Sequence, residues 1–138
     1  MNRATAMLNR SMLALRWFLA VLLAFSAGAA RAQKSAPPVF RGYLVDIACA
    51  AVHRTTDDSW AVTHNQTCLR SEKSQKAGFA LVMPKGKILR LDAAGNAKAI
   101  ELFRKENRKD HWLVEATGSI ASTHDGEVLL VENLRLIK

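Results

Sequence analysis

Cysteine is scarce in this 138-residue chain: only Cys49 and Cys68. No C-x-x-C-H occurs, so covalent haem attachment is not indicated. Three Pro and seven Gly exclude collagen-like or low-complexity character. The chain has no nucleophile elbow, no Gly-rich phosphate loop, no H-E-x-x-H and no EF-hand loop. Ser and Thr stand near His64 and His124, but they make no triad without geometry. The chain is too short for a barrel of eight βα units or for a dinucleotide fold with a substrate domain. What remains, at 49% hydrophobic and 23% charged residues, is the balance of one globular domain.

The first 32 residues lack acid altogether. Arg3, Arg10 and Arg16 are followed by an apolar run, Trp17–Ala30, and by Ala30-Arg31-Ala32. That order is the one of a secretory signal peptide. The run falls short of the ~20 residues a spanning helix needs, so no stable membrane anchor is expected after cleavage. No twin-Arg pair precedes the run, and no Cys stands at the cleavage point. The expected divisions are residues 1–32 as signal peptide, 33–38 as a short tether and 39–138 as the folded domain. Removing 32 residues takes four Arg and no acid, and leaves 16 basic against 12 acidic residues, a net charge of +4. With half of the +8 gone, and export expected to the periplasm or beyond, the charge is not read as a nucleic-acid footprint.

Five β-prone runs are expected as strands: Val39–Ile47, Phe79–Met83, Lys87–Asp92, His111–Ser122 and Glu127–Ile137. Gly42 inside the first suggests a bulge or a close backbone approach. Pro84-Lys85-Gly86 and His124-Asp125-Gly126 read as hairpin turns. Asp92–Asn96 reads as a break with capping residues, and Ala97–Glu106 as a helix with Ala99, Ile100 and Phe103 on one face. In the fourth run Trp112, Val114, Ala116, Gly118 and Ile120 share a face. In the fifth, Val128, Leu130, Leu134 and Leu136 are expected inward, with Glu132 interrupting. Five strands with one helix between the third and fourth is the order of the OB-fold. The fold class is therefore mainly β: an OB-like, five-stranded, partly open barrel with a long Cys-containing connection between strands 1 and 2. A generic α+β sheet is the competing arrangement.

That connection, Ala48–Ala77, is polar, weakly periodic and expected to hold one or two short helical turns. A stretch of this length must be fastened. Export favours a Cys49–Cys68 disulfide, closing a loop of about 20 residues for about 3 kcal/mol. A second reading rests on symmetry: Cys49-x3-His53 is mirrored by His64-x3-Cys68. Two such pairs would offer Cys49, His53, His64 and Cys68 as a Cys2His2 site for zinc or copper, although the spacing is not that of a zinc finger. Asp46 fits an N-cap for the turn carrying Cys49. Asp57-Asp58 is a charged loop pair. Most aromatics (Phe40, Tyr43, Phe79, Phe103, Trp112) sit at core-phase positions. Trp60, in the polar connection, is the exception: it either covers the open mouth of the barrel or sits at a ligand site.

The run Gly42-Tyr-Leu-Val-Asp46-Ile-Ala-Cys49, then His64-x3-Cys68, then Lys76-Ala-Gly78-Phe-Ala-Leu-Val resembles a group of small exported bacterial proteins of uncharacterised function. Gly86-Lys-x3-Leu-Asp92-x2-Gly95-Asn96-x-Lys98-Ala99 and Val114-Glu-Ala-Thr-Gly118 continue the likeness, which spans about Phe40 to Leu136. Some of those proteins carry a further Cys shortly before the position of Gly78, where this chain has Ser74. The resemblance implies an OB-like fold and export, and it implies no reaction. The expectation is a non-enzymatic binding or structural module of the bacterial envelope. Its partner or small ligand is unspecified, and it has no cofactor unless the metal reading holds.

Overall fold

The computed structural model describes residues 35–53 and 57–137. The expected signal peptide lies outside the described residues, as do the first residues of the tether. Five strands, β1 (Val39–Asp46), β2 (Phe79–Val82), β3 (Ile88–Leu91), β4 (Leu113–Thr123) and β5 (Gly126–Leu136), form one sheet in the order β1-β2-β3-β5-β4. The sheet closes in a ring because β1 is shared. Its C-terminal half pairs with β2, and its N-terminal half, Val39–Tyr43, pairs antiparallel with Leu113–Thr117 of β4. The expected partial opening is therefore absent. The narrowest seam is the parallel β3–β5 pairing, with Arg90 opposite Val128 and Leu91 opposite Leu129.

Gly42 is where β1 changes partners. A Cβ built there would lie 2.6 Å from the Val82 carbonyl oxygen, so only glycine admits the approach. The expected face of β5 is half right, for a stated reason. Thr117 is opposite Asn133 but Gly118 is opposite Val131, so Glu132 is the extra residue of a bulge. The bulge shifts the phase. Leu129, Val131 and Leu134 are buried, while Leu130 and Ile120 are exposed.

Between β3 and β4 runs the main helix. It starts earlier than its apolar spacing suggests. Asp92 caps it, accepting from the Gly95 N–H at 2.8 Å, so the expected break is its first turn. Gly95 belongs inside this helix for a packing reason, since a Cβ there would meet Val131 Cγ2 at 2.6 Å. Asn96 Oδ1 accepts the Phe79 N–H at 2.9 Å and ties the helix to the start of β2. Phe103 packs edge-on against Phe79 and Trp112, with centroids 5.1 and 5.0 Å apart. These rings, with Leu44, Leu81, Leu89, Val114 and Leu129, fill the ring's interior.

The β1–β2 connection is more structured than expected. Among the described residues it holds four short helices: α1 (Ile47–Val52), α2 (Ser59–Val62), α3 (Gln66–Arg70) and α4 (Glu72–Ala77), with the main helix following as α5 (Ala93–Lys105). It is fastened by packing and hydrogen bonds. Ala50, Ala61 and Trp60 cover Val45, Ala80 and Val82 on the sheet's outer face, and Leu69 enters the main core. The Gln66 N–H donates to the Lys109 carbonyl at 2.8 Å, and the His111 N–H to the Val62 carbonyl at 3.0 Å. The Arg70 guanidinium donates to the Phe103 and Glu106 carbonyls at the end of α5. Among the described residues no helix is long and apolar enough to cross a membrane.

Candidate functional site

The last residue of β1 is also the N-cap of α1. Asp46 is 2% exposed, with an extended backbone, and its Oδ1 accepts the Cys49 N–H at 2.9 Å. The capping expectation is borne out. The same arrangement recurs on α3, where Asn65 Oδ1 accepts the Cys68 N–H at 3.0 Å. Each cysteine is thus the third residue of a short capped helix, held by an Asx side chain three positions before it.

The other carboxylate oxygen of Asp46 lies 2.9 Å from His64 Nε2. His64 is 9% exposed, so this is a buried pair. Burial works to raise the Asp46 pKa. The Cys49 backbone N–H, the Cys49 thiol and His64 outweigh it, and the carboxyl is held below its usual value. An ionised carboxylate only accepts, so Nε2 carries the proton between them.

Asp46, Cys49 and His64 each bring one donor atom, an oxygen, a sulfur and a nitrogen, within 4.8 Å of one another. The Cys49 thiol is pushed up to about 11 by burial, by the hydrogen bond and charge of Asp46, and by the neighbouring Cys68 thiol. Cys68 therefore stands beside Cys49, and both thiols are unbonded and half-buried. They open into a cleft of about 330 Å³ that Ser71, Lys73 and Ser74 also line. Ser74 accepts from the Ser71 hydroxyl at 2.8 Å.

The expected Cys49–Cys68 disulfide is not formed in this structure. The sulfurs are neighbours but not at bonding distance, and packing fastens the connection in its place. Of the four expected metal ligands the structure brings Cys49 and His64 together, places Cys68 near Cys49 but outside their cluster, and leaves His53 out. α1 ends at Val52, so His53 is its C-cap. Its ring stacks on Trp60, with centroids 4.6 Å apart and 18° between planes. A spacing of four residues puts Cys49 and His53 on one face only in a helix that continues, and this one stops. Asp46 is the third member of the cluster. Its signal in the sequence was the spacing Asp46-x-x-Cys49, which brings a capping carboxylate to the thiol. Trp60 meets His64 edge-on at 6.1 Å, beside the cluster. Asp57, just ahead of α2, accepts the Ser59 N–H at 2.9 Å and takes no part in the cluster.

Compared with known proteins, the chain matches no protein family, no curated protein and no solved structure.

Proposed function

We propose that this protein is an exported metal-binding module that holds one zinc ion through Asp46, Cys49, His64 and Cys68. The carrying observation is the convergence of oxygen, sulfur and nitrogen donors of Asp46, Cys49 and His64 within 4.8 Å. Cys68, which lines the same cleft as Cys49 but lies outside that group of three, turns in to supply the second sulfur. Two thiolates, an imidazole and a carboxylate form a four-donor set of mixed softness, which suits tetrahedral zinc. Tetrahedral bonds of about 2.0 Å place nitrogen and oxygen donors about 3.3 Å apart. His64 Nε2 and Asp46 Oδ2 are already 2.9 Å apart, and the ion takes the place of the proton between them. Burial first, then the hydrogen bond and charge of Asp46, oppose thiolate formation at Cys49, and that carboxylate charge favours a cation at the same point.

Export rests on the order of Arg residues, apolar run and Ala30-Arg31-Ala32. An OB-like scaffold is supported by the strand order β1-β2-β3-β5-β4, with α5 between β3 and β4. The protein binds and does not catalyse, in this reading, and copper(I) is the competing cation because it favours the two sulfurs. The experiment is native mass spectrometry and equilibrium dialysis of the reduced protein against zinc(II), with copper(I) as a parallel arm. The expected result is one zinc per chain, held more tightly by wild type than by H64Q. Absence of stoichiometric metal in both arms overturns the proposal.

A further inference from the structure

Cys49 and Cys68 answer two chemical descriptions at once. They supply both sulfurs of the proposed zinc site, and they are adjacent thiols facing one open cleft. We propose that a disulfide oxidant converts this pair into a Cys49–Cys68 bridge and thereby expels the zinc, so that the site holds metal only while reduced. The inference rests on the metal reading above and adds its control.

Three features carry it. Each sulfur sits on a short helix pegged by its own cap, Asp46 for Cys49 and Asn65 for Cys68, which fixes the two backbones. Both thiols are half-buried, so a small disulfide reaches them from the cleft. Lys73, on the wall of that cleft, places a positive charge where an anionic disulfide such as oxidised glutathione would approach.

The chemistry balances. One protein sulfur, as thiolate, attacks a sulfur of oxidised glutathione, breaking its S–S bond and releasing one glutathione thiolate. The second protein sulfur attacks the mixed disulfide, forms the Cys49–Cys68 bond and releases the second glutathione. Two electrons pass from the protein to the oxidant, and the two released glutathione thiolates take up protons from the solvent, since the zinc-bound cysteines carry none. With both sulfurs bonded to each other only Asp46 and His64 remain as donors. One oxygen and one nitrogen hold zinc far more weakly than four donors do, and the ion leaves hydrated. The fold has no need of the metal or the bridge, because the connection is already fixed by Leu69, Ala61 and the Arg70 hydrogen bonds.

The test uses the purified reduced protein loaded with zinc(II) and titrated with oxidised glutathione. Intact mass, zinc release to a chromophoric chelator and circular dichroism are followed together. The expected result is a loss of about 2 Da per chain as the bridge forms. One zinc is released in step with it, the fold signal does not change, and dithiothreitol restores binding. Zinc affinity of the bridged form should be lower by roughly a hundredfold or more. H64Q, which keeps both thiols, should still lose the same mass, while C49S and C68S should not. Retention of zinc after the mass loss overturns the inference and leaves the metal site standing. Separate glutathione adducts on the two cysteines, or no reaction, overturn it as well. A reduced protein that takes up no zinc yet forms the bridge overturns the metal reading itself.

Discussion

Asp46 and His64, 18 residues apart in the chain, meet as a buried carboxylate–imidazole pair at 2.9 Å. The pair joins the end of β1 to the far side of the connection. Asp46 also caps α1, so one side chain serves two contacts. Asp46→Ala removes both and leaves His64 buried without its partner. The expected loss is about 3 kcal/mol of stability, read as a lower urea midpoint at unchanged slope. Asp46→Asn keeps an oxygen for the cap and should cost less than half as much.

The four proposed ligands and His53 separate cleanly by mutation. Cys49→Ser, Cys68→Ser and His64→Gln should each weaken zinc binding by at least about tenfold in chelator competition. His53→Ala should leave it within about twofold, because His53 stacks on Trp60 outside the donor cluster. An equal loss in His53→Ala would return His53 to the ligand set.

Gly42 is the crossing point of β1, and its missing Cβ accommodates the Val82 carbonyl. Gly42→Ala should destabilise by about 2 kcal/mol through overpacking against backbone, which cannot swing away. Thermal or urea unfolding reads this directly. A neutral substitution would mean that β1 and β2 separate there without cost.

Trp112 is fully buried, yet its Nε1–H has no hydrogen-bond partner among the described residues. The ring's area stabilises the core while its donor is desolvated at a cost. Trp112→Phe removes the donor and keeps an aromatic ring, so it should cost only about 1 kcal/mol. Trp112→Ala should cost about 3–5 kcal/mol.

Glu115 faces two guanidinium groups on the ring's outer surface, Arg135 at 2.5 Å and Arg41 at 2.8 Å. The Arg135 hydrogen bond first, and Arg41 second, hold its carboxyl below the usual value. The folded pKa is the lower one, so the contribution is complete above the unfolded pKa and lost as pH falls through the folded one. Glu115→Gln should therefore narrow the stability gap from wild type as pH drops below about 5. A gap independent of pH would rule out this linkage.

The strands and the order of elements were legible because alternation, the turn residues Pro84-Lys85-Gly86 and His124-Asp125-Gly126, and the single amphipathic helix all point the same way. Two local events were not. The bulge at Glu132 flips the phase of β5, and alternation cannot place a bulge without its partner strand. The cap at Asp92 starts α5 in a stretch that reads as a break, since Gly95 is there for close packing on Val131. At the site, the spacing Cys49-x3-His53 looked like one helical face, but α1 is too short to provide it. Asp46 was visible as a cap. Its pairing with His64 depends on how the connection folds back over the sheet, which no local pattern encodes.

Joining β1 to β4 turns the sheet into a loop in which every strand has a partner on each side along part of its length. No strand offers its whole edge to a second copy, so edge-to-edge growth has only the tip of the β4–β5 hairpin and the stretch of β5 beyond Leu129 to build on. This limit on polymerisation comes from the path of the backbone and needs no protective charge.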